Sequence, residues 1–187
     1  MLHVALALGL RRGELLGLRW EDINFQEGTV HIRRAIINER NKVVMGSLKT
    51  KGSQRMLYMP PIIRTLLQTH RDRQALDVAA AKTWEDPGWV FATGKGTPIG
   101  PNNFLRAYRQ LLEKAGLPRE HRLHDLRHSY ASWLIANGVD PRTLSDLLGH
   151  ADPRFTMSVY VHAQEETRRR AANLTDHLLA NLLKETG

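Results

Sequence analysis

The sequence predicts an α+β fold that is mostly α-helical, with one small three-stranded antiparallel sheet near the N-terminal third. Apolar residues recur at helical spacing over most of the chain, and three short β-branched runs lie between residues 28 and 60. The 187 residues are 42% hydrophobic and 25% charged, which suits one compact core. We therefore expect a single domain over residues 1–187.

The first predicted element is a core helix that opens with "MLHVALALGL" and continues into "RRGELLGLRW", because Leu10, Glu14 and Leu18 keep a helical spacing. The opening is too short to span a bilayer and lacks the basic region of a secretion signal. We expect a soluble cytoplasmic protein without a membrane partner. The sequence enters this helix part-way along, which predicts a fragment of a longer chain.

Three predicted strands follow, at "GTVHIRRAII" (28–37), "KVVMGSL" (42–48) and "QRMLYMP" (54–60). β-branched and aliphatic residues dominate them, and the polar segments "NERN" and "KTKGS" supply the turns between them. Pro60 and Pro61 end this sheet and begin a helix through "IIRTLLQTHRDRQAL". A sheet of these three strands is the predicted β part of the domain.

The remaining elements are predicted to be helices, after a loop-rich segment with at most one short strand at "WVF". Pro101 begins a helix that Gly116 closes in the left-handed conformation. Another helix runs from about Leu123 to Ala136, and Asp140 caps the start of the next. The last predicted helix, over residues 165–184, carries an apolar stripe of leucines. They are Leu174, Leu178, Leu179, Leu182 and Leu183.

The charge balance favours an anionic partner. Lys and Arg number 27 against 19 Asp and Glu, for a formal net charge of +8. Nucleic acid is the first candidate and an acidic membrane surface the second, with a merely basic soluble protein as the alternative. The sequence has no cysteine, which excludes disulfides, thiolate metal sites and cysteine nucleophiles.

The segment "LHDLRHSYASWL" sets His124, Arg127 and His128 along one stripe that borders the packed face of a helix. Cations are costly there unless an anion reaches them, and a phosphate would accept from both side-chain types. Two alternatives stay open. The histidine could be satisfied by backbone and the arginine paired with Asp125 or a distant carboxylate. A metal site with His121 is the weaker alternative, because no carboxylate or thiolate completes the ligand set.

Four further residues accompany this helix in a fixed order. Arg11 follows a Gly–Leu pair, Lys49 lies on a turn between strands in "LKTKGSQR", His150 ends "LLGH", and Tyr160 comes ten residues later. Together with the "H-x-x-R" segment, these pieces resemble the catalytic signature of the tyrosine recombinase family, also called the phage integrase family. The resemblance covers nearly the whole chain.

The resemblance implies the DNA breaking–rejoining catalytic fold and the activity of a site-specific DNA recombinase. Such an enzyme integrates or excises a mobile element through a covalent 3′-phosphotyrosyl intermediate, with no metal and no cofactor. Arg11 and Arg127 would then hold the two non-bridging oxygens of the DNA phosphate. Their planar forks would counter the charge that grows in the transition state.

The same resemblance implies roles for the other signature residues. Tyr160 would be the nucleophile, and His124 would be its acid/base. Lys49 would protonate the departing 5′-oxygen, with Lys51 on the same turn as the alternative and otherwise a DNA-backbone contact. His150 would hydrogen-bond a non-bridging oxygen or support the nucleophile.

Four residues are expected to support these groups. Glu14 and Asp125 are predicted to orient the arginines, while His128 and His162 are assigned to structure or to DNA-backbone contacts. Two rival functions remain: a type IB topoisomerase with related residues and the same covalent intermediate, and a non-catalytic DNA-binding relative.

The family resemblance also implies partners. We expect double-stranded DNA attachment sites and a homotetramer on DNA in the full-length protein, with a monomer as the alternative for the fragment. An N-terminal DNA-binding domain is expected to be absent, because the chain begins too late to include it. The helix over 165–184 either docks on a neighbouring protomer in trans or folds back in cis. The expected location is the cytoplasm of a bacterium, at the nucleoid, with the gene of bacterial or phage origin.

Overall fold

The computed structural model describes residues 1–40, 42–47 and 53–149, together with Ala172, Asn173 and Thr175, which are helical and exposed. The rest of the predicted helix over 165–184 lies outside the described residues. Five candidate site residues also lie outside them: Lys49, Lys51, His150, Tyr160 and His162.

The N-terminal region forms two short helices, α1 (Leu2–Ala7) and α2 (Arg12–Leu16), so the prediction of one continuous helix is wrong. The chain reverses at Gly9, which has a φ of 58°, in the left-handed region that favours glycine. Helix α2 then has its own start, where the Arg11 backbone N–H donates to Glu14 Oε2 at 2.9 Å. A local spacing rule did not detect the break because apolar residues continue on both sides of it.

In the described part of the chain, five strands form two sheets. The strands are β1 (Ile23–Asn24), β2 (Thr29–Ile32), β3 (Arg34–Glu39), β4 (Lys42–Ser47) and β5 (Arg55–Tyr58). A three-stranded antiparallel sheet has the order β1-β2-β5, while β3 and β4 pair only with each other. The α+β class with a small three-stranded sheet is therefore confirmed, but its strands are not the three expected.

The predicted strand over 28–37 divides at Arg33 into β2 and β3. Successive side chains of a strand point to opposite faces. Arg33 and Arg34 nevertheless both reach the buried Asp22 carboxylate, with Nη1 atoms 3.6 Å and 2.5 Å from its oxygens. The backbone leaves the first sheet here: β2 pairs with β5 up to Ile32, and β3 pairs with β4 from Arg34 onward.

Four longer helices follow: α3 (Pro61–Ala80), α4 (Pro101–Lys114), α5 (Leu123–Ala136) and α6 (Pro141–Leu148). Helix α5 has the predicted bounds, and α3 runs further than predicted. Gly116 follows α4 with a φ of 66°, and the Asp140 side chain accepts from the backbone N–H groups of Arg142 and Thr143. In the described residues of the "WVF" region, pairing is limited to isolated bridges at Trp89 and Ala92.

The large core joins α1–α4 and both sheets, while α5 and α6 share a smaller cluster of Ala131, Ile135, Leu144 and Leu148. Helix α5 also packs on α1, and α6 packs on β5. These contacts bring the α1–α2 break, the start of β5 and the end of α6 to one place. No helix in the described part of the chain is long and apolar enough to cross a membrane.

Candidate functional site

Glu14 on α2 lies at the centre of an arginine cluster. Its carboxylate is 1% exposed and accepts from Arg11 Nη1 at 2.8 Å. Arg55 on β5 donates to both carboxylate oxygens, at 3.2 Å and 2.9 Å, and Arg127 Nη1 lies 4.0 Å from Oε2. Burial by itself raises the pKa of Glu14. The hydrogen bonds and charge of Arg55, followed by the bonds from Arg11, outweigh burial and lower that pKa.

Arg11 and Arg127 converge on the carbonyl oxygen of Leu148, at the end of α6. Arg11 Nη1 donates to it at 3.4 Å and Arg127 Nη2 at 2.5 Å. Arg11 also donates to the Gly149 carbonyl at 3.1 Å, and Arg127 donates to the Gly9 carbonyl at 2.6 Å. The Arg11 side chain is 38% exposed and that of Arg127 is fully buried. The two cations thus approach one point from an open side and a buried side.

The cluster holds more positive than negative charge. Three guanidinium groups surround the Glu14 carboxylate, and among the described residues the buried Arg127 Nε has no hydrogen-bond partner. Burial, followed by the charge of Arg11, lowers the pKa of Arg127 to about 9, so this group still carries its proton at neutral pH. Uncompensated cations in a partly dry site favour an incoming anion.

His124 lies beside this cluster on α5. Its ring packs edge-on against that of His128, with ring centroids 4.8 Å apart. Burial, followed by electrostatic interaction with His128, Arg127 and Arg11, lowers the pKa of His124. The imidazole is therefore held neutral near pH 7, the form that can accept a proton.

Asp125 lies one residue further along α5 and occupies a different position from Glu14. Its carboxylate accepts from the Arg122 backbone N–H at 2.7 Å, at the start of the helix. Its negative charge opposes the lowering of the His124 pKa. Both carboxylates thus accept a backbone N–H at the start of their helices, and in the described residues Glu14 is the one that also contacts the arginine side chains.

Arg55 is a member of the cluster that the sequence analysis missed. It begins β5, where the alternation of a strand puts it on the same face as Leu57 and Met59, which are both buried. A charged residue on the apolar face of a strand is the signal that could have identified it. Its side chain is 6% exposed.

The described residues include no group of three or more His, Cys, Asp or Glu side chains placed to hold a metal ion. His121, His124 and His128 therefore do not form a metal centre in this part of the chain. The cations of the cluster are arginines, which bind anions directly.

Comparison with known proteins gives consistent matches. The sequence model of the phage integrase family matches residues 1–167. The chain is 33% identical over 188 aligned positions to a "Tyrosine recombinase XerC-like" protein of Caldanaerobacter subterraneus subsp. tengcongensis, covering 94% of this chain and 48% of that protein. It is 34% identical to an integrase of Streptomyces ambofaciens, covering 84% and 42%. The chain thus spans about half the length of these curated relatives.

Solved structures show the same fold. The Tn1549 transposon integrase, solved with transposon right end DNA, superposes with a TM-score of 0.75 at 20% identity, covering 91% of this chain and 57% of that one. The XerA recombinase superposes with a TM-score of 0.69 at 24% identity, covering 90% and 54%. The family match over residues 1–167, taken with the relatives above, establishes that this chain belongs to the phage integrase family.

Proposed function

We propose that the protein containing this chain is a site-specific DNA recombinase, which cleaves and rejoins DNA through a covalent 3′-phosphotyrosyl intermediate. The observation that carries the proposal is the convergence of Arg11 and Arg127 on one point, in a cluster with a surplus of positive charge. A phosphodiester is the anion that suits two planar forks. The family membership supports the same reaction.

The two arginines are assigned to the non-bridging oxygens of the phosphate. Arg11 contacts the DNA from the open side of the cluster, and Arg127 acts from the buried side. Their charge stabilises the pentacoordinate transition state, which is more negative than the ground state. Preorganised donors in a partly dry site are worth more than the same donors in water.

The chemical step uses residues that the family signature assigns. The Tyr160 hydroxyl attacks phosphorus and gives its proton to neutral His124, while the bond from phosphorus to the 5′-oxygen breaks. Lys49 donates a proton to that leaving oxygen, with Lys51 as the alternative donor. His150 hydrogen-bonds a non-bridging oxygen or supports the nucleophile. Isolated tyrosine and lysine side chains both have pKa values near 10. Lysine is therefore protonated at neutral pH and can donate, while the positive charge of the site favours the phenolate form of the tyrosine.

The wider biology is part of the proposal. We assign residues 1–187 to one catalytic domain of a longer protein that assembles as a tetramer on double-stranded DNA, in the cytoplasm. The predicted helix over 165–184 is assigned to docking in trans between protomers, with docking in cis as the alternative. Names such as "Integrase" and "ICEBs1 integrase" among the relatives support integration or excision of a mobile element.

A covalent-capture experiment tests the reaction and identifies the DNA target in the same step. The full product of the gene is incubated with fragmented genomic DNA of its source, denatured, and recovered with any DNA covalently attached. Sequencing of that DNA defines the cleaved site, and a nicked duplex of that sequence then traps the intermediate on a denaturing gel. Wild-type protein should give the adduct, and Tyr160→Phe should not.

Further outcomes separate the alternatives. No adduct from wild-type protein would refute the proposal and favour a non-catalytic DNA-binding protein. An adduct accompanied by relaxation of supercoiled DNA, without strand exchange between two duplexes, would favour a type IB topoisomerase. Exchange between two duplexes that carry the captured site is the result expected of a recombinase.

A further inference from the structure

We propose that Arg55 is a positioning residue for DNA cleavage: it holds Glu14 and the last turn of α6 so that the charges of Arg11 and Arg127 stay available to the phosphate. The inference rests on the function proposed above. Arg55 contacts the cluster from β5 and is assigned no contact with DNA. It acts through its neighbours.

The hydrogen bonds of Arg55 join three segments of the chain. Nε donates to the Leu147 carbonyl of α6 at 2.6 Å, and Nη1 and Nη2 donate to Glu14 of α2. Nη1 also donates to the Ser53 carbonyl at 3.2 Å. Leu147 and Glu14 are 92 and 41 residues away in sequence. One buried side chain therefore joins the Arg11 segment, the strand after the Lys49 turn, and the helix that leads to His150.

The carbonyl groups at the end of a helix have no partners within it and carry partial negative charge. Arg55 satisfies Leu147, while the next two carbonyl groups, Leu148 and Gly149, accept from Arg11 and Arg127. If Arg55 is removed, the end of α6 loses its shortest bond to β5. The positions of Leu148 and Gly149, which accept from Arg11 and Arg127, would then be less fixed.

Charge gives the second part of the argument. Arg55 pairs with Glu14 through both carboxylate oxygens, so this pair is neutral as a unit. Arg11 also donates to Glu14 at 2.8 Å, so Arg11 and Arg127 share with Arg55 the one carboxylate that the described residues place within 4.0 Å of them. Without Arg55, Glu14 would attract Arg11, already 2.8 Å away, and Arg127, 4.0 Å away. The guanidinium groups would then be compensated by the protein instead of by the phosphate.

A matched control comes from Arg19, which also joins distant parts of the chain. Its Nη1 and Nη2 bind the two oxygens of Asp86 at 2.8 Å and 3.2 Å, and its guanidinium lies 4.7 Å from the centroid of the Trp89 ring. This pair has no contact with the Glu14 cluster in the described residues. Arg19→Met therefore reports the cost of losing an arginine that joins distant segments outside the Glu14 cluster.

The experiment measures single-turnover cleavage at saturating concentrations of the nicked duplex, DNA affinity, and the melting temperature of each full-length variant. Arg55→Met should cleave about 100-fold more slowly, because displacement of reacting groups by about 1 Å costs that much. Its DNA affinity should stay near that of the wild type. Arg19→Met should lose melting temperature but cleave at the wild-type rate.

A second variant pair separates positioning from loss of structure. In Arg55→Met/Glu14→Gln no buried carboxylate is left to attract Arg11 and Arg127, so cleavage should be faster than in Arg55→Met. Arg55→Lys keeps the charge but not the fork, and it should cleave at an intermediate rate. Cleavage by Arg55→Lys at the wild-type rate would overturn the inference even if Arg55→Met fails to fold.

Two further results also contradict the inference. The first is that folded Arg55→Met protein cleaves DNA as fast as Arg19→Met. The second is that Arg55→Met/Glu14→Gln cleaves no faster than Arg55→Met. Failure of the proposed function looks different, because wild-type protein would then form no adduct at all.

Discussion

The molecule contains two arginine–carboxylate centres that look alike and differ in charge balance. In the first, three arginines surround Glu14; they are Arg11, Arg55 and Arg127. In the second, three arginines share three carboxylates around the 3₁₀ turn at Trp20–Asp22. The arginines are Arg19, Arg33 and Arg34, and the carboxylates are Glu21, Asp22 and Asp86. Each centre is built on a carboxylate that is 1% exposed, Glu14 in one and Asp22 in the other.

The difference lies in what satisfies the surplus donors. At the Asp22 centre each described arginine pairs with a carboxylate, so the charges cancel and the centre holds the start of β3 in place. At the Glu14 centre the surplus donors bind backbone carbonyl groups, which carry only partial charge. A centre with balanced charges stabilises the fold, whereas a centre with surplus positive charge favours the binding of an anion. Four predictions test this comparison, from the largest expected effect to the smallest.

The largest effect is expected from Arg11→Lys. Lysine keeps the charge but loses the planar fork, so one phosphate contact is lost in the transition state. Cleavage of the nicked duplex should slow by roughly 100- to 1,000-fold, as for loss of one oxyanion donor. Arg34→Lys makes the same change in the balanced centre and should leave the rate unchanged. Equal losses from the two variants would show that the distinction between the centres is wrong.

The balanced centre should instead dominate stability. Arg34→Met leaves the buried Asp22 carboxylate with Arg33, 3.6 Å away, and the Arg19 backbone N–H, 3.2 Å away. Removing one partner of a buried ion pair costs roughly 3 kcal/mol. Chemical denaturation should show that loss in the free energy of unfolding, with cleavage unchanged at a temperature where the variant is folded. A loss of cleavage in a stable Arg34→Met protein would contradict the prediction.

The pH dependence should report His124. The pKa of His124 is lowered in the folded protein. The neutral form, which acts as the base, therefore prevails at a pH above the ordinary histidine pKa. It is lost as the pH falls through the lowered pKa. As the pH falls, the unfolded chain binds a proton at this histidine before the folded protein does. The contribution of His124 to the free energy of unfolding therefore also decreases on the acid side. The cleavage rate at saturating DNA should fall on the acid side.

His128→Gln removes the electrostatic interaction of His128 with His124 and should move that acid limb to higher pH. An acid limb that stays in place would mean that another group controls it. Measuring at saturating DNA keeps any contribution of His128 to DNA binding out of the rate.

The smallest effect concerns the two ends of α6. The Glu14 centre holds the C-terminal end, and Asp140 caps the N-terminal end. Asp140→Ala should cost about 1 kcal/mol in the free energy of unfolding. Cleavage should remain near the wild-type rate, because the arginines still hold the end that leads to His150. A large loss of cleavage in Asp140→Ala would contradict this prediction, because it would show that the N-terminal cap, and not the arginines, positions α6.

Local signals predicted the parts of the fold that depend on neighbouring residues. The bounds of α5, the Asp140 cap and the left-handed Gly116 all follow from residues within one or two turns. The break at Gly9 and the division of the strand at Arg33 depend on contacts with residues that are distant in sequence or do not follow the alternation of a strand. A spacing rule considers only neighbouring residues and cannot predict such contacts.

The site shows the same limit. The Arg11–Glu14 pair is three residues apart on the chain and could be anticipated from the sequence. Arg55 depends on partners 41 and 92 residues away, so its role required coordinates. Recognition of the family supplied Lys49, His150 and Tyr160, which local physics alone would not have selected.

The interruption at Gly9 also bears on attempts to make this protein more robust. In an unbroken helix the Gly9 carbonyl would accept from the backbone four residues later, whereas here it accepts from Arg127 at 2.6 Å. At a φ of 58° an alanine would be strained, and its added Cβ would lie 2.5 Å from the Tyr130 ring. Gly9→Ala would therefore destabilise the fold and displace the guanidinium that this carbonyl holds, so resistance to heat and catalytic competence would be lost together at this position.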